Sequence, residues 1–341
     1  MIGWRGQLRG VRHGRWYGSG VSGFIGQVRA LPANALVRAA PDSTYADGDD
    51  STWIDVDWPS LTREVQVLGR AVNVVDTGGD GPVLLFVHGL GGRWQNWLLN
   101  IPVFMHEFRV LAPDLPGFGA SAMPLGRISI QGFARVLDEL CTVLEIDSPV
   151  VVGNSMGGFI AAELALAFPT RVRKLVLVSA AGITTTSLKR EPIMAAGRLM
   201  AVASARSGAR NLPVARRPRL RRAALQLVVR YPERLSVPLA TELVQGAGAD
   251  GFIGGLDSVI GYSFRERLPD IDAPTLIVWG RNDILVPVAD AFEFQRLIGA
   301  NARVEVFEDT GHLSMLERPS RFNALLASFI AEPAPAPSPA A

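Results

Sequence analysis

Val150-Val151-Val152-Gly153-Asn154-Ser155-Met156-Gly157-Gly158 runs straight into Phe159-Ile160-Ala161-Ala162-Glu163-Leu164-Ala165-Leu166, and this stretch decides the fold. Three β-branched residues in a short apolar run read as a buried parallel strand. The alanine- and leucine-rich segment behind it is a good helix former. Between the two, the chain must reverse within a few residues, which suits glycine on both sides of Ser155. Gly-x-Ser-x-Gly alone also fits an ordinary strand-to-helix loop. Its meaning depends on whether the rest of the chain supplies a base, an acid and donors for a developing oxyanion.

Outward from that stretch the pattern is regular. Glu64–Val67 and Val72–Val75 bracket Leu68-Gly69-Arg70 and read as a β-hairpin. Val83–Val87 is a buried strand ending in His88-Gly89-Leu90-Gly91-Gly92, and Val110–Ala112 another, followed by Asp114-Leu115-Pro116-Gly117-Phe118-Gly119. Phe133, Val136, Leu137, Leu140, Cys141 and Leu144 recur at helical spacing and predict an amphipathic helix, with Cys141 on its apolar stripe. Lys174–Val178 is the next strand. Strands resume only at Pro274–Gly280 and Arg303–Phe307, which run into Asp283 and His312, with a final helix near Pro319. The interval 183–268 is too long for a plain loop and carries scattered helical apolar runs, so it reads as an inserted helical cap. The expected core is therefore 62–182 and 269–331. Strands alternating with helices predict a mostly parallel sheet covered on both faces. Each polar residue of interest follows the carboxyl end of a strand, where open sheets of this kind gather their chemistry.

Composition limits the function classes. Among 341 residues, 48% are hydrophobic and 19% charged, which describes a globular chain with a sizeable core. A lone cysteine, Cys141, forbids an intramolecular disulfide and any cysteine-based metal cluster, and fits a reducing, cytoplasmic setting. The stretch 1–61 is an extension, basic through Arg5 to Arg38 and acidic from Asp42 to Asp57, in which Val21, Phe24, Ile25 and Val28 fall at helical spacing. It reads first as a strap packed on the main domain. Its alternative is a surface element in peripheral contact with an anionic membrane or a partner. It carries no continuous apolar run of a secretory signal. With a net charge of +2, nucleic acid is not expected as a partner. The tail 332–341 is rich in proline and alanine and reads as disordered. Neither a His-Glu-x-x-His pattern nor a clustered set of histidines and carboxylates occurs, so neither metal nor cofactor is expected.

The elbow, followed by Asp283 and then His312, resembles the α/β-hydrolases in motif and in order. The resemblance spans about Thr62 to Ile330 and is least specific in the cap. It implies the α/β-hydrolase fold, with Ser155 as nucleophile, His312 as base and Asp283 as the acid that orients it. The backbone N–H groups of Leu90 and Met156 would form the oxyanion hole. His88, Asp114, Gly117 and Gly119 match structural motifs of that family, and Asp257 is a distant reserve for the acid.

Gly153-Asn154-Ser155-Met156-Gly157-Gly158 looks closest to the branch of meta-cleavage-product hydrolases and related esterases. Asn154 and Leu313 are the substrate-pocket candidates. Carbon–carbon hydrolases of that branch usually place tryptophan after the histidine, where this chain has Leu313. They also place a cap arginine after a Glu-Leu-x-Gln-Gly-like run, where this chain has Ala247 behind Glu242-Leu243-Val244-Gln245-Gly246. The expectation is therefore hydrolysis of a small-molecule acyl ester through an acyl-enzyme. Carbon–carbon bond hydrolysis is the alternative, and a non-catalytic hydrolase-fold binding protein the second. The sequence leaves the oligomeric state open.

Overall fold

The computed structural model describes residues 43–205, 211–245 and 248–333, with backbone only at 199–205 and 211–212. The predicted helix around Val21–Val28, the residue Ala247 and the tail beyond 333 lie outside the described residues.

Eight strands form one sheet in the order β1-β2-β4-β3-β5-β6-β7-β8. These are β1 (Thr62–Val67), β2 (Arg70–Asp76), β3 (Val83–Val87), β4 (Arg109–Pro113), β5 (Val150–Asn154), β6 (Lys174–Val178), β7 (Thr275–Gly280) and β8 (Ala302–Phe307). β1 and β2 form the expected antiparallel hairpin, turned by Leu68 (φ 49°) and Gly69 (φ 73°). Two successive positive φ values match the twist that a two-residue hairpin turn needs. β2 also pairs antiparallel with β4, and all later pairs are parallel. This is the α/β-hydrolase architecture: a mixed, mostly parallel sheet flanked by helices, with an inserted helical cap.

The central strands β5, β6 and β7 are buried along their whole length, as unbroken β-branched and leucine runs require when both faces are covered. Alternation assigns their side chains. Leu85, Val151, Leu177 and Ile277 enter the core under the helices Ile130–Val143, Met156–Ala167 and Ala289–Ile298. Leu84, Val152, Val176 and Val278 enter the opposite core, with Trp97, Phe104 and the helix Pro319–Ala331. Ser129 caps the first of these helices by accepting the Gly132 N–H at 3.0 Å. Cys141 sits on its buried stripe.

The described part of the interval between β6 and β7 is helical: Arg190–Ala205, Asn211–Arg216, Pro218–Leu225, Val237–Gln245 and Phe252–Gly261. Polar links tie it to the core, two of them close to the loops after β3 and β4. Asp257 pairs with Arg190 and with the core residue Arg127, at 2.5 and 2.7 Å. Arg93, just beyond the glycine run after β3, holds Glu242 at 2.6 Å and Gln245 at 3.0 Å. Residues 43–61 pack on the core through Tyr45 and Trp53, both buried. Among the described residues no helix is long and apolar enough to cross a membrane.

Candidate active site

The elbow is built by close backbone approach. Ser155 has φ 57° and ψ −118°, a conformation that costs a non-glycine residue on the order of 1–3 kcal/mol. Its N–H donates to Val178 O at 2.9 Å, and its carbonyl accepts from Phe159 and Ala181. The flanking glycines are sterically required. A Cβ on Gly153 would lie 2.2 Å from Gly157 O, one on Gly157 would lie 2.2 Å from Val87 O, and one on Gly158 would meet Ala180 at 2.6 Å. The strand β5, its neighbour β3 and the helix Met156–Ala167 thus converge at a point that only hydrogen atoms fit. That convergence lifts the Ser155 side chain to the end of the sheet.

Asp283 and His312 meet beyond β7 and β8. His312 Nδ1 lies 2.7 Å from Asp283 Oδ2, with both side chains almost fully buried. Asp283 Oδ1 accepts the N–H groups of Leu285 and Val286 at 2.9 and 3.0 Å, which leaves Oδ2 for the imidazole. A carboxylate in that position keeps the proton on Nδ1 and leaves Nε2 with a lone pair. The two loops interlock because Gly280 faces Gly311, where a Cβ would stand 1.9 Å from the carbonyl oxygen.

Asn154, next to Ser155, is buried, and its amide donates to Val178 O at 3.1 Å and His312 O at 3.4 Å. It therefore ties the elbow to the backbone of His312. Ser155 Oγ takes no hydrogen-bond partner among the described residues, the open spacing common in unliganded sites. Leu313 is buried in the cluster that joins Val228 and Val229 of the insertion to the core.

The N–H groups of Leu90 and Met156 donate to no described residue. Gly89 holds the first close to the elbow, since a Cβ there would lie 3.0 Å from Ser155 Cβ. His88 anchors that loop. The N–H of Leu115 donates to its Nε2 at 2.9 Å, so Nδ1 carries the proton and donates to Gly89 O at 2.8 Å. Burial depresses its pKa, so this ring is a neutral strut. Asp114 accepts from Asn73, Trp94 and Ala120, and a Cβ on Gly119 would strike its carboxylate at 2.1 Å. The helix Phe252–Gly261 lies over the site: a Cβ on Gly255 would meet Leu90, Phe118 and Met156 at 2.8–3.3 Å.

Burial raises the pKa of Asp257, but hydrogen bonds and charge from Arg127 and Arg190 together outweigh it and lower the pKa, while His312 pairs with Asp283. Two buried acids beside Asp283 and His312 escaped sequence reasoning. Asp290 accepts from the Thr184 N–H and hydroxyl, and burial, together with the nearby Asp283 charge, raises its pKa. Glu317 accepts the N–H groups of Gly311 and Leu313, on either side of His312. Five residues beyond a histidine, next to an Arg-Pro pair, a glutamate carries no distinguishing signal in one sequence. Among the described residues no group of His, Cys, Asp or Glu is arranged to hold a metal ion.

A family model for the alpha/beta hydrolase fold matches residues 82–319. The chain is 33% identical to the dihydrolipoyllysine-residue acetyltransferase component of the acetoin cleaving system of Cupriavidus necator, over 87% of this chain and 79% of that protein. It is 31% identical to the 2-hydroxymuconate semialdehyde hydrolase of Pseudomonas sp. (strain CF600), over 80% of this chain and 95% of the relative. The solved structure of a meta-cleavage product hydrolase from Pseudomonas fluorescens IP01 is similar at TM-score 0.63 and 25% identity, over 80% of this chain and 98% of the other. A membrane phospholipase A is similar at TM-score 0.63 and 27% identity, over 79% and 85%.

Proposed function

This chain belongs to the α/β-hydrolase fold family, near its meta-cleavage-product hydrolase and esterase branch, and from that premise we propose that it hydrolyses an acyl bond with Ser155, His312 and Asp283. The observation that carries the reading is the 2.7 Å contact from His312 Nδ1 to an Asp283 carboxylate already fixed by two backbone donors. A serine hydroxyl is too weak an acid to attack unaided. In this reading His312 Nε2 takes the Ser155 proton and returns it to the leaving group, while Asp283 stabilises the imidazolium. The N–H groups of Leu90 and Met156 receive the developing oxyanion, with the positive end of the helix Met156–Ala167 behind the second.

Two bonds compete as the target. The names of the relatives favour the carbon–carbon bond of a meta-cleavage product and so reverse the order drawn from the sequence alone. Ester hydrolysis is the second reading. It rests on Leu313 and Ala247, which replace the tryptophan and arginine associated with recognition of a charged dienone. Side-by-side kcat/KM values for a meta-cleavage dienone and a p-nitrophenyl ester series decide between them. A dienone preference supports the first reading and an ester preference the second. Ser155→Ala is expected to lose on the order of 10⁴–10⁶ in kcat on either substrate. Turnover surviving in that variant would remove Ser155 as the nucleophile, and failure of a fluorophosphonate to label the unaltered protein would favour a binding protein instead.

A further inference from the structure

Residues before the family match reach the loop that carries His312. Tyr45 lies outside residues 82–319, yet its hydroxyl donates to Glu317 Oε2 at 2.7 Å and accepts the Tyr231 N–H at 2.9 Å. Its neighbours bind the same corner: Ala46 N–H donates to Glu317 O at 2.8 Å, and Arg318 Nη1 donates to Thr44 Oγ1 at 2.6 Å. The Tyr45 ring meets Tyr231 edge-on with centroids 5.0 Å apart and lies under the Arg318 guanidinium.

Glu317 is fully buried and accepts four hydrogen bonds. Oε2 takes Tyr45 Oη–H, Arg230 N–H and Gly311 N–H, and Oε1 takes Leu313 N–H. Gly311 and Leu313 flank His312. The N–H groups of His312 and Leu313 also donate to Val228 O, both at 3.2 Å. The backbone around His312 is thus gripped by one carboxylate and one cap carbonyl, and the carboxylate is itself oriented by Tyr45. Three of these four donors are backbone N–H groups, and the Tyr45 hydroxyl is the one side-chain donor among them. The tyrosine hydroxyl closes that set.

We infer that Tyr45 and Glu317 are a positioning unit for His312, through which the segment preceding the hydrolase core sets the catalytic geometry. Neither side chain touches the reacting atoms. The inference rests on the reading of His312 as the base. If it holds, loosening the unit misplaces the imidazole and leaves the groups that bind the substrate in place, so kcat falls and KM does not. A displacement of about 1 Å in a catalytic group costs on the order of 10²-fold in rate.

Tyr45→Phe keeps the ring and removes only the hydroxyl. Glu317→Gln keeps the shape but turns an N–H toward either Leu313 N–H or the Oε2 donors. Both variants are compared with Trp53→Phe, a buried substitution in the same segment whose indole N–H donates to Asp50 rather than Glu317, at a fixed interval below each melting temperature. The expected result is a kcat lowered about 10-fold by Tyr45→Phe and about 100-fold by Glu317→Gln, with KM within about twofold and Trp53→Phe unchanged. The rate at which a fluorophosphonate labels Ser155 should fall in parallel. Because Tyr45→Phe is conservative, it carries the test if Glu317→Gln does not fold. A Tyr45→Phe protein with unaltered kcat, or with the change confined to KM, overturns the inference, provided Ser155→Ala is inactive. An active Ser155→Ala protein would instead overturn the catalytic reading beneath it.

Discussion

Gly157→Ala tests the construction of the elbow more directly than removal of any reacting group. The added methyl carbon would lie 2.2 Å from Val87 O and 2.5 Å from His88 O, both backbone atoms at the end of β3. Ordinary contact needs about 3.4 Å, so the start of the helix Met156–Ala167 must withdraw from β3 by about 1 Å. Met156 and Leu90 stand on opposite sides of that gap, so their N–H groups, the proposed oxyanion donors, would separate. Loss of one oxyanion donor costs on the order of 10²–10³ in kcat, and misplacement by about 1 Å about 10². Overpacking should cost about 1–3 kcal/mol of stability, a fall of roughly 2–10 °C in melting temperature for a domain of this size. The assay is kcat and fluorophosphonate labelling well below the melting temperature, with Gly261→Ala as the control, since a Cβ at Gly261 meets nothing within 4 Å. The variant should fold and lose about 100-fold or more in kcat, while the control stays near the parent. A Gly157→Ala protein with full activity and an unchanged melting temperature would refute the argument that backbone contact sets the oxyanion geometry.

Other outcomes follow from the same structure. Ser155→Gly should be inactive yet more stable than the parent by on the order of 1 kcal/mol, because glycine relieves the φ of 57°; calorimetry should show no such gain for Ser155→Ala. Burial pushes the Cys141 thiol up to about 12, so iodoacetamide should label it only after unfolding, as mass spectrometry would reveal. Asp76 is buried, which raises its pKa, but hydrogen bonds from Arg109, Gly78 and Arg63 outweigh this and hold it below the usual carboxylate value. A depressed native pKa stabilises the fold above the unfolded value of about 3.9, and the contribution disappears as pH falls through the native pKa. Asp76→Asn should therefore cost on the order of 1–3 kcal/mol at neutral pH, with melting temperatures converging on the parent as the pH drops from about 5 toward 2.

The elements that sequence pattern located are those whose signal is local. β5 and its helix carry their own alternation and glycine spacing, the hairpin carries its turn, and the helix Ile130–Val143 carries a continuous apolar stripe with a serine cap. The order of Ser155, Asp283 and His312 was equally legible, because each lies past the carboxyl end of a strand, β5, β7 and β8 in turn. Short-range pattern could not reveal what sits between those residues. Asn154, a substrate-pocket candidate by sequence, has its amide bound to carbonyls of Val178 and His312. The Asp257 carboxylate, a reserve for the acid, binds two arginines across the boundary of the insertion.

By itself the sequence determined that a serine would stand on a tight turn after a buried strand, because steric demand for glycine and hydrophobic periodicity are written in adjacent residues. Only the tertiary structure decided what surrounds the backbone of His312. Tyr45 and Glu317 are separated by 272 positions and meet through a hydroxyl hydrogen bond. Contacts of that range depend on how strands β7 and β8, the cap and the leading segment pack together, and no periodicity records them.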